Sequence, residues 1–323
     1  MAITKKTGSV ITSLAYDTFW KFAFERQNIF FRRISGLENN LTTDTILQQY
    51  KFTNAYRASD RVSQYLIRNV IYAKKFDAID TIFRILLFKL FNKIETWELL
   101  EKRFGDISIR TYSSVHYSRE LDIAMSLGTR IYSNAYMMAS GAKEFPVKKK
   151  HHAHFLLLNK MLEDNLPERI ENSNDMEEGY RLLLSYPMIG QFLAYQYITD
   201  INYSEVTNYS ETEFTMPGPG AKDGIKKCFI DKGSYSDSDI IKLMTDRQDN
   251  EFERLNLDFK FLGKRKLQFI DIQNIFCETD KYSRVAHPGL MGISGRTKIK
   301  QKFKKNKNSI DIFYPPKWKV RIN

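Results

Sequence analysis

Residues 182–200 read LLLSYPMIGQFLAYQYITD, and this stretch decides the fold class. An apolar helix end runs into a tight turn holding Pro187 and Gly190, and a second apolar helix opens at Gln191. The pattern predicts a helix–hairpin–helix, whose exposed amides can hold a DNA phosphate without reading sequence. Met188 stands where the usual hairpin has its first glycine, so an ordinary αα-hairpin is the competing reading. Outward from it, helical spacing recurs. Residues 16–34 place Phe19, Trp20, Ala23, Phe24, Phe30 and Phe31 on a helix that Gly36 stops. Thr43 or Asp44 can cap a helix holding Ile46 and Leu47, and the pattern resumes after a break at Lys51–Asn54 to run to residue 73. Further helices are expected at 76–92, 95–103, 119–139, 150–164, 175–186 and 190–200, with another capped near Asp239. Only residues 259–276, FKFLGKRKLQFIDIQNIF, carry an ambiguous, strand-like alternation. The chain therefore reads as mainly α, with a basic C-terminal extension.

With 42% hydrophobic and 14% aromatic residues in 323, the chain can bury a large core, which excludes intrinsic disorder. The apolar stretch Ile82–Phe91 is interrupted by Arg84 and Lys89 and is too short to cross a bilayer, and no signal peptide opens the chain. A cytoplasmic protein without membrane contact is expected. Two cysteines, Cys228 and Cys277, cannot build a disulfide framework, a zinc ribbon or a four-cysteine cluster. The net charge of +12 is concentrated: residues 281–323 hold twelve basic residues and one acid, Asp311, together with Tyr282, Phe303, Phe313, Tyr314 and Trp318. Cations that neutralise phosphates beside rings that stack on bases suit a nucleic-acid surface better than a merely solubilising tail. The expected organisation is a helical domain over 1–280, open to division into two lobes flanking a cleft, and a DNA-contacting segment over 281–323.

Residues 213–229, EFTMPGPGAKDGIKKCF, bring a Gly/Pro loop onto a short helix, so amides and cations converge where an anionic backbone can lie. No Gly-Lys-Ser or Gly-Lys-Thr follows, which disfavours nucleotide hydrolysis. Carboxylates near this turn are Asp200, Glu211, Glu213 and Asp223. In the first half, Glu25, Arg26, Arg32, Arg33, Asn54, Arg57, Asp60 and Arg61 mix charge with aromatic residues, as interhelical ion pairs or as a polar pocket. Residues 270–288 gather Asp271, Gln273, Asn274, Glu278, Asp280, Lys281, Tyr282 and Arg284; the amides suit a base edge and the cations suit phosphate. His151, His152 and His154 lie in KKKHHAH with no acid adjacent in sequence, so a solvated helix start and no metal is the expectation. Deaminase, metalloprotease and GxSxG signatures are missing from the sequence.

The strings FERQNIFFRRISG (24–36), TDTILQQYKFTNAYRASDRVSQYLI (43–67), IGQFLAYQYITDINYS (189–204), FTMPGPGAKDGIKKCF (214–229) and IDIQNIFCETDKYSR (270–284) together resemble one family. These are the α-glutamyl/putrescinyl-thymine pyrophosphorylase-like proteins, related to amino acid:DNA transferases and to the helical domain of 5-hydroxymethyluridine DNA kinases. The resemblance implies a DNA-glycosylase-like helical fold acting on hypermodified pyrimidines of phage DNA, with double-stranded DNA as partner and neither cofactor nor obligate protein partner. Excision of a glucosylated 5-hydroxymethylcytosine in antiviral defence, leaving an abasic site, is the first expectation. Transfer of an amino acid or polyamine to activated 5-hydroxymethyluracil is the alternative, with Glu25, Asp60 and Asp280 as carboxylates for an ammonium. An inert DNA-binding module is the third. The catalytic carboxylate is expected among Asp200, Asp223 and Glu213. By similarity the base or sugar pocket draws on Glu25, Arg26, Asn54, Arg57, Asp60, Tyr195, Gln196, Gln273, Asn274 and Asp280. The DNA backbone would meet Gly190, Gln191, Gly218, Gly220, Lys226, Lys281, Arg284, Arg296, Lys298 and Lys300.

Overall fold

A computed structural model describes residues 9–37, 39–134, 138–305 and 311–322. In chain order these form β1 (Ile11–Thr12), α1 (Leu14–Ile34), α2 (Thr45–Gln49), α3 (Arg61–Tyr65), α4 (Ala78–Phe91), α5 (Ile94–Phe104) and α6 (Ser114–Ser126). Then follow α7 (Lys150–Glu163), α8 (Leu166–Glu171), α9 (Met176–Leu184), α10 (Gln191–Ile201), α11 (Pro219–Cys228), β2 (Phe229–Asp231), α12 (Asp237–Arg254) and α13 (Phe269–Ala286). The protein is thus mainly helical; β1 and β2 make one short antiparallel ladder. The chain divides into two compact units. The first comprises Met1–Asp60, Glu211–Ile312 and Trp318–Asn323; the second comprises Arg61–Ser210 and Phe313–Lys317.

In the first unit, α1 starts where the Ser13 side chain accepts from the Ala15 amide and ends at Gly36, whose φ of 87° lets the chain turn away. Its buried face, including Phe19, Trp20 and Ala23, packs on α13 through Phe19 and Phe276, ring centroids 4.6 Å apart. Helix α11 lies closer still to α13. A Cβ at Gly224 would sit 2.1 Å from the Phe276 carbonyl oxygen, and one at Gly220 would meet Cys277 Sγ at 3.0 Å. Two glycines four apart therefore let one backbone press on another. The contact is locked by a buried ion pair, Lys227 Nζ to Asp280 Oδ1 at 2.9 Å. Asp280 is also held by Arg284.

Residues 269–276, the second half of the stretch that read ambiguously, open α13. Gln268 and Asp271 form a reciprocal capping box, and Phe269, Ile272, Ile275 and Phe276 share a helical face. The alternation in FIDI obscured that longer period; nearby, Leu262 and Arg265 make only an isolated bridge. The expected step between residues 280 and 281 falls inside α13. Beyond it, the basic segment is pinned by its backbone: Lys51 N–H donates to Gln301 (3.1 Å), Phe303 N–H to Gln49 (3.0 Å), and Arg284 to the Lys298 carbonyl (3.1 Å). Residues 306–310 of that segment lie outside the described ones.

In the second unit, α4 is buried on nearly every side and carries two cations into the core. Arg84 donates to the carbonyls of Val70 (2.8 Å) and Ile107 (2.6 Å) and lies 3.9 Å from the Phe76 ring centroid. Lys89 meets Asp200 of α10 at 2.8 Å and the Asn92 side chain at 2.9 Å. Between α9 and α10, Met188 adopts φ 66°, the left-handed conformation a glycine usually takes, and its side chain packs against Gly141. The helix expected over 119–139 is α6, shifted to Ser114–Ser126 because Ser113 caps it; residues 135–137 lie outside the described ones. The solvated start expected for the histidine run is corrected. His151 and His154 are 1% and 0% exposed, with Tyr132 Oη at 3.0 Å from His154 Nδ1.

Replacing Gly224 with alanine forces α11 off the Phe276 carbonyl. The expected cost is about 1–3 kcal/mol of folding free energy, as for overpacked cores. An unchanged urea midpoint would show the contact to be loose.

Candidate functional site

The loop between α2 and α3, FTNAYRASD (52–60), folds on itself through one asparagine. Asn54 N–H donates to Asp60 Oδ1 (2.8 Å), and its side-chain amide donates to the Ser59 carbonyl (2.8 Å). Helix α1 holds the loop by Arg26, which donates to the Thr53 carbonyl (2.9 Å) and to Asn54 Oδ1 (2.7 Å). Helix α13 holds it from its own side. Asn274 donates to the Asn54 carbonyl (2.9 Å), and Glu278 accepts the Thr53 amide (3.1 Å). Glu278 also takes Lys281 at 2.7 Å, whose ammonium rides 4.6 Å from the Phe52 ring centroid.

Asp60 and Glu278 therefore lie among the cations Arg26, Arg57 and Lys281. Burial, with Glu278 close by, pushes the Asp60 carboxyl up to about 7, against the lowering effect of the Asn54 amide, Arg26 and Arg57. Burial also draws Arg26 below its ordinary value, while Asp60, Glu278 and Glu25 sustain its charge. A carboxyl poised near neutrality can take up or release a proton under physiological conditions. Asp271 is likewise raised by burial, to about 6, but one of its oxygens accepts the Arg57 amide (2.8 Å) and the other caps α13.

The structure brings together Glu25, Arg26, Asn54, Arg57, Asp60, Asn274 and Lys281 from the expected set, with Gln273 buried on the same helix. The rest lie elsewhere or are engaged. Asp280, expected in the pocket, is sealed between Lys227 and Arg284. Asp223, a candidate catalytic acid, accepts from Ser294 N–H (2.8 Å) and Arg296 (2.8 Å) and from the Ser294 hydroxyl, which hold its carboxyl below the ordinary range. Asp200, with Tyr195 and Gln196, is buried in α10 of the second unit, as part of the Lys89 pair. Glu213 is exposed in the turn before α11.

Of the residues expected on DNA backbone, Gly218 is buried, Gly220 is spent on the contact with Cys277, and Lys226 is exposed. Gly190 and Gln191 open α10 with no side-chain cap. Arg296, Lys298 and Lys300 are exposed on the basic segment, and the Lys302 ammonium lies 4.1 Å from the Tyr50 ring centroid. Glu278, Thr53 and Phe52 were not among the expected pocket residues. The spacing of Asn274, Glu278 and Lys281 on one helical face was the available signal, masked by the strand-like reading of the preceding residues.

A family model described as the 5-hmdU DNA kinase, helical domain, matches residues 13–292, from before α1 to beyond Lys281. The chain belongs to this family. A protein named 5-hmdU DNA kinase from Bacillus phage SP10 is 29% identical to it over 298 residues, covering 82% of this chain and 45% of the phage protein. The chain thus spans less than half the length of that relative. No solved structure matches it. Base excision, the first expectation from sequence, finds no support in these similarities. Among the described residues no helix is long and apolar enough to cross a membrane.

Folding raises the Asp60 carboxyl from 3.8 to about 7, so the folded state favours the protonated form. Its contribution to stability is fully present below the lower value and is lost as pH rises through the upper one. Asp60→Asn should flatten the decline in urea midpoint between about pH 4 and about pH 7; equal slopes in both proteins would refute the shift. Alanine at Lys298 and Lys300 should reduce the salt dependence of DNA affinity by about 0.9 in log–log slope for each phosphate contact removed, as fluorescence anisotropy at graded salt would measure.

Proposed function

We propose that this chain is a DNA base-modifying transferase that acts on 5-hydroxymethyluracil in DNA after its hydroxymethyl group has been activated as a phosphoester. The relative's name supports the choice of base and of polymer, and the stretch that matches the family model, residues 13–292, includes Asp60, Arg26 and Glu278. The observation that carries the reading is the polar cluster in which Asp60 accepts the Asn54 amide (2.8 Å), Arg26 donates to Asn54 Oδ1 (2.7 Å) and Glu278 takes Lys281 (2.7 Å).

In this reading an amine, from an amino acid or polyamine, enters beside Glu25, Asp60 and Glu278. Asp60 takes the ammonium proton, and the free nitrogen attacks the 5-methylene carbon. The carbon–oxygen bond breaks and its electrons leave with the phosphate, whose charge Arg26 and Lys281 receive. The glycosidic bond stays whole. Asn54 and Asn274 hold the loop in register, and the exposed cations at Arg296, Lys298 and Lys300 lie along the DNA backbone.

The test incubates the protein with duplex oligonucleotides carrying 5-hydroxymethyluracil, its phosphorylated or pyrophosphorylated ester, or plain thymine, with glycine, glutamate or putrescine supplied. Nucleoside mass spectrometry should find an amine adduct only from the ester. Asp60→Asn should slow its formation by about 10²–10⁴-fold, the usual contribution of a general base. Alkali-labile abasic sites with release of a modified base would replace this reading with excision, and full activity of Asp60→Asn would remove Asp60 from the chemistry.

A further inference from the structure

Helices α6 and α7 of the second unit meet around one carboxylate. Asp122 Oδ1 lies 2.9 Å from His151 Nε2 and 2.7 Å from Lys149 Nζ, while its Oδ2 lies 3.1 Å from His152 Nε2. The three ligand-type atoms of Asp122, His151 and His152 all fall within 4.8 Å of one another. We propose that Asp122, His151 and His152 form a binding site for a divalent transition-metal cation of the zinc class, clasping α6 to α7.

His151 supplies the deciding geometry. Its ring is 1% exposed, and its Nε2 stands 2.9 Å from a carboxylate oxygen of Asp122. The Ser118 backbone carbonyl on α6 bonds the same ring and fixes its orientation toward Asp122, so that a cation seated between His151, His152 and Asp122 would join the two helices. Backbone carbonyls that orient a histidine in this way are the usual support of a metal-bound imidazole.

The donor set, two imidazoles and a carboxylate, suits zinc, cobalt or nickel better than magnesium or calcium. Ligand atoms at about 2.0–2.2 Å from a tetrahedral zinc stand about 3.3 Å apart, so only small side-chain shifts separate the observed positions from a coordinated set. The two imidazole planes are nearly perpendicular, at 89° with centroids 4.5 Å apart, so both nitrogens reach the same point from adjacent residues. Lys149 is the competitor. Its ammonium uses the carboxylate that a metal would take, and its half-exposed side chain can swing into water and leave the fourth position to a solvent molecule.

The test titrates the metal-stripped, full-length protein with zinc chloride and cobalt chloride, by calorimetry and by the visible spectrum of cobalt. One equivalent should bind, with a cobalt spectrum of four- or five-coordinate type, and zinc should raise the melting temperature. His152→Ala, at a partly exposed position that folding does not require, should weaken binding by tenfold or more and abolish the zinc-dependent rise. Lys149→Met should bind at least as tightly as the wild type, because it removes the competing cation. His116→Ala, outside the cluster, should change nothing. No stoichiometric uptake, or uptake that His152→Ala leaves intact, would overturn the proposal and return Asp122 to a plain ion pair with Lys149.

Discussion

Gly224 lets the backbone of α11 rest on the Phe276 carbonyl of α13, and Lys227 reaches across that contact to Asp280. A side chain at Gly224 would meet the Phe276 backbone and hold the helices apart, pulling the buried ammonium from its carboxylate, whereas one at Gly220 would press on the Cys277 side chain. Removing one partner of a buried pair leaves an uncompensated charge, which costs far more than the pair contributes when intact. Helix α13 is consequently fixed in depth and rotation. Because Asn274, Glu278 and Lys281 are displayed on that helix, the placement of the candidate pocket follows from two glycines and an ion pair that take no part in its chemistry.

The pocket itself is a loop held from two sides. Arg26 on α1 and Asn274 on α13 both grip Asn54, whose amide in turn faces Asp60. This economy has an electrostatic result: Asp60 is enclosed among groups committed to the backbone, so few full hydrogen bonds are left to stabilise its anion, and its carboxyl rises toward neutrality. Asp223 shows the opposite arrangement. It is 1% exposed, yet it accepts from Ser294 and Arg296, which hold its carboxyl below the ordinary range and tie residues 294–296 to α11. The two aspartates thus have carboxyls shifted in opposite directions, set apart by the donors each one meets.

The second unit repeats the use of buried charge as a fastener. Lys89 and Asp200 join α4 to α10, and Arg84 closes on main-chain carbonyls around α4. These residues lie on helices whose neighbours are overwhelmingly apolar, so their sequence context gave no warning that the charges were paired inside. The same blindness affected the histidine run. The sequence around His151 holds no acid, but α6 brings Asp122 to it from about thirty positions earlier.

Sequence by itself determined the helical class, most helix positions, a cap at Thr43 or Asp44, the stop at Gly36 and the concentration of positive charge near the C-terminus, because periodicity, capping and composition are local properties. It also determined the family, through several ordered blocks. The grouping of Glu25, Arg26, Asn54, Asp60 and Asn274 was legible in those blocks as well. Tertiary structure decided which carboxylates are available. The sequence put Asp200 and Asp223 forward as catalytic acids and Asp280 in the pocket beside Asp60, and each of these three proves to be held by a cation that the fold delivers from elsewhere: Lys89, Arg296 and Lys227. The state of an ionisable group is set by its burial and by partners distant along the chain, and no local pattern encodes either.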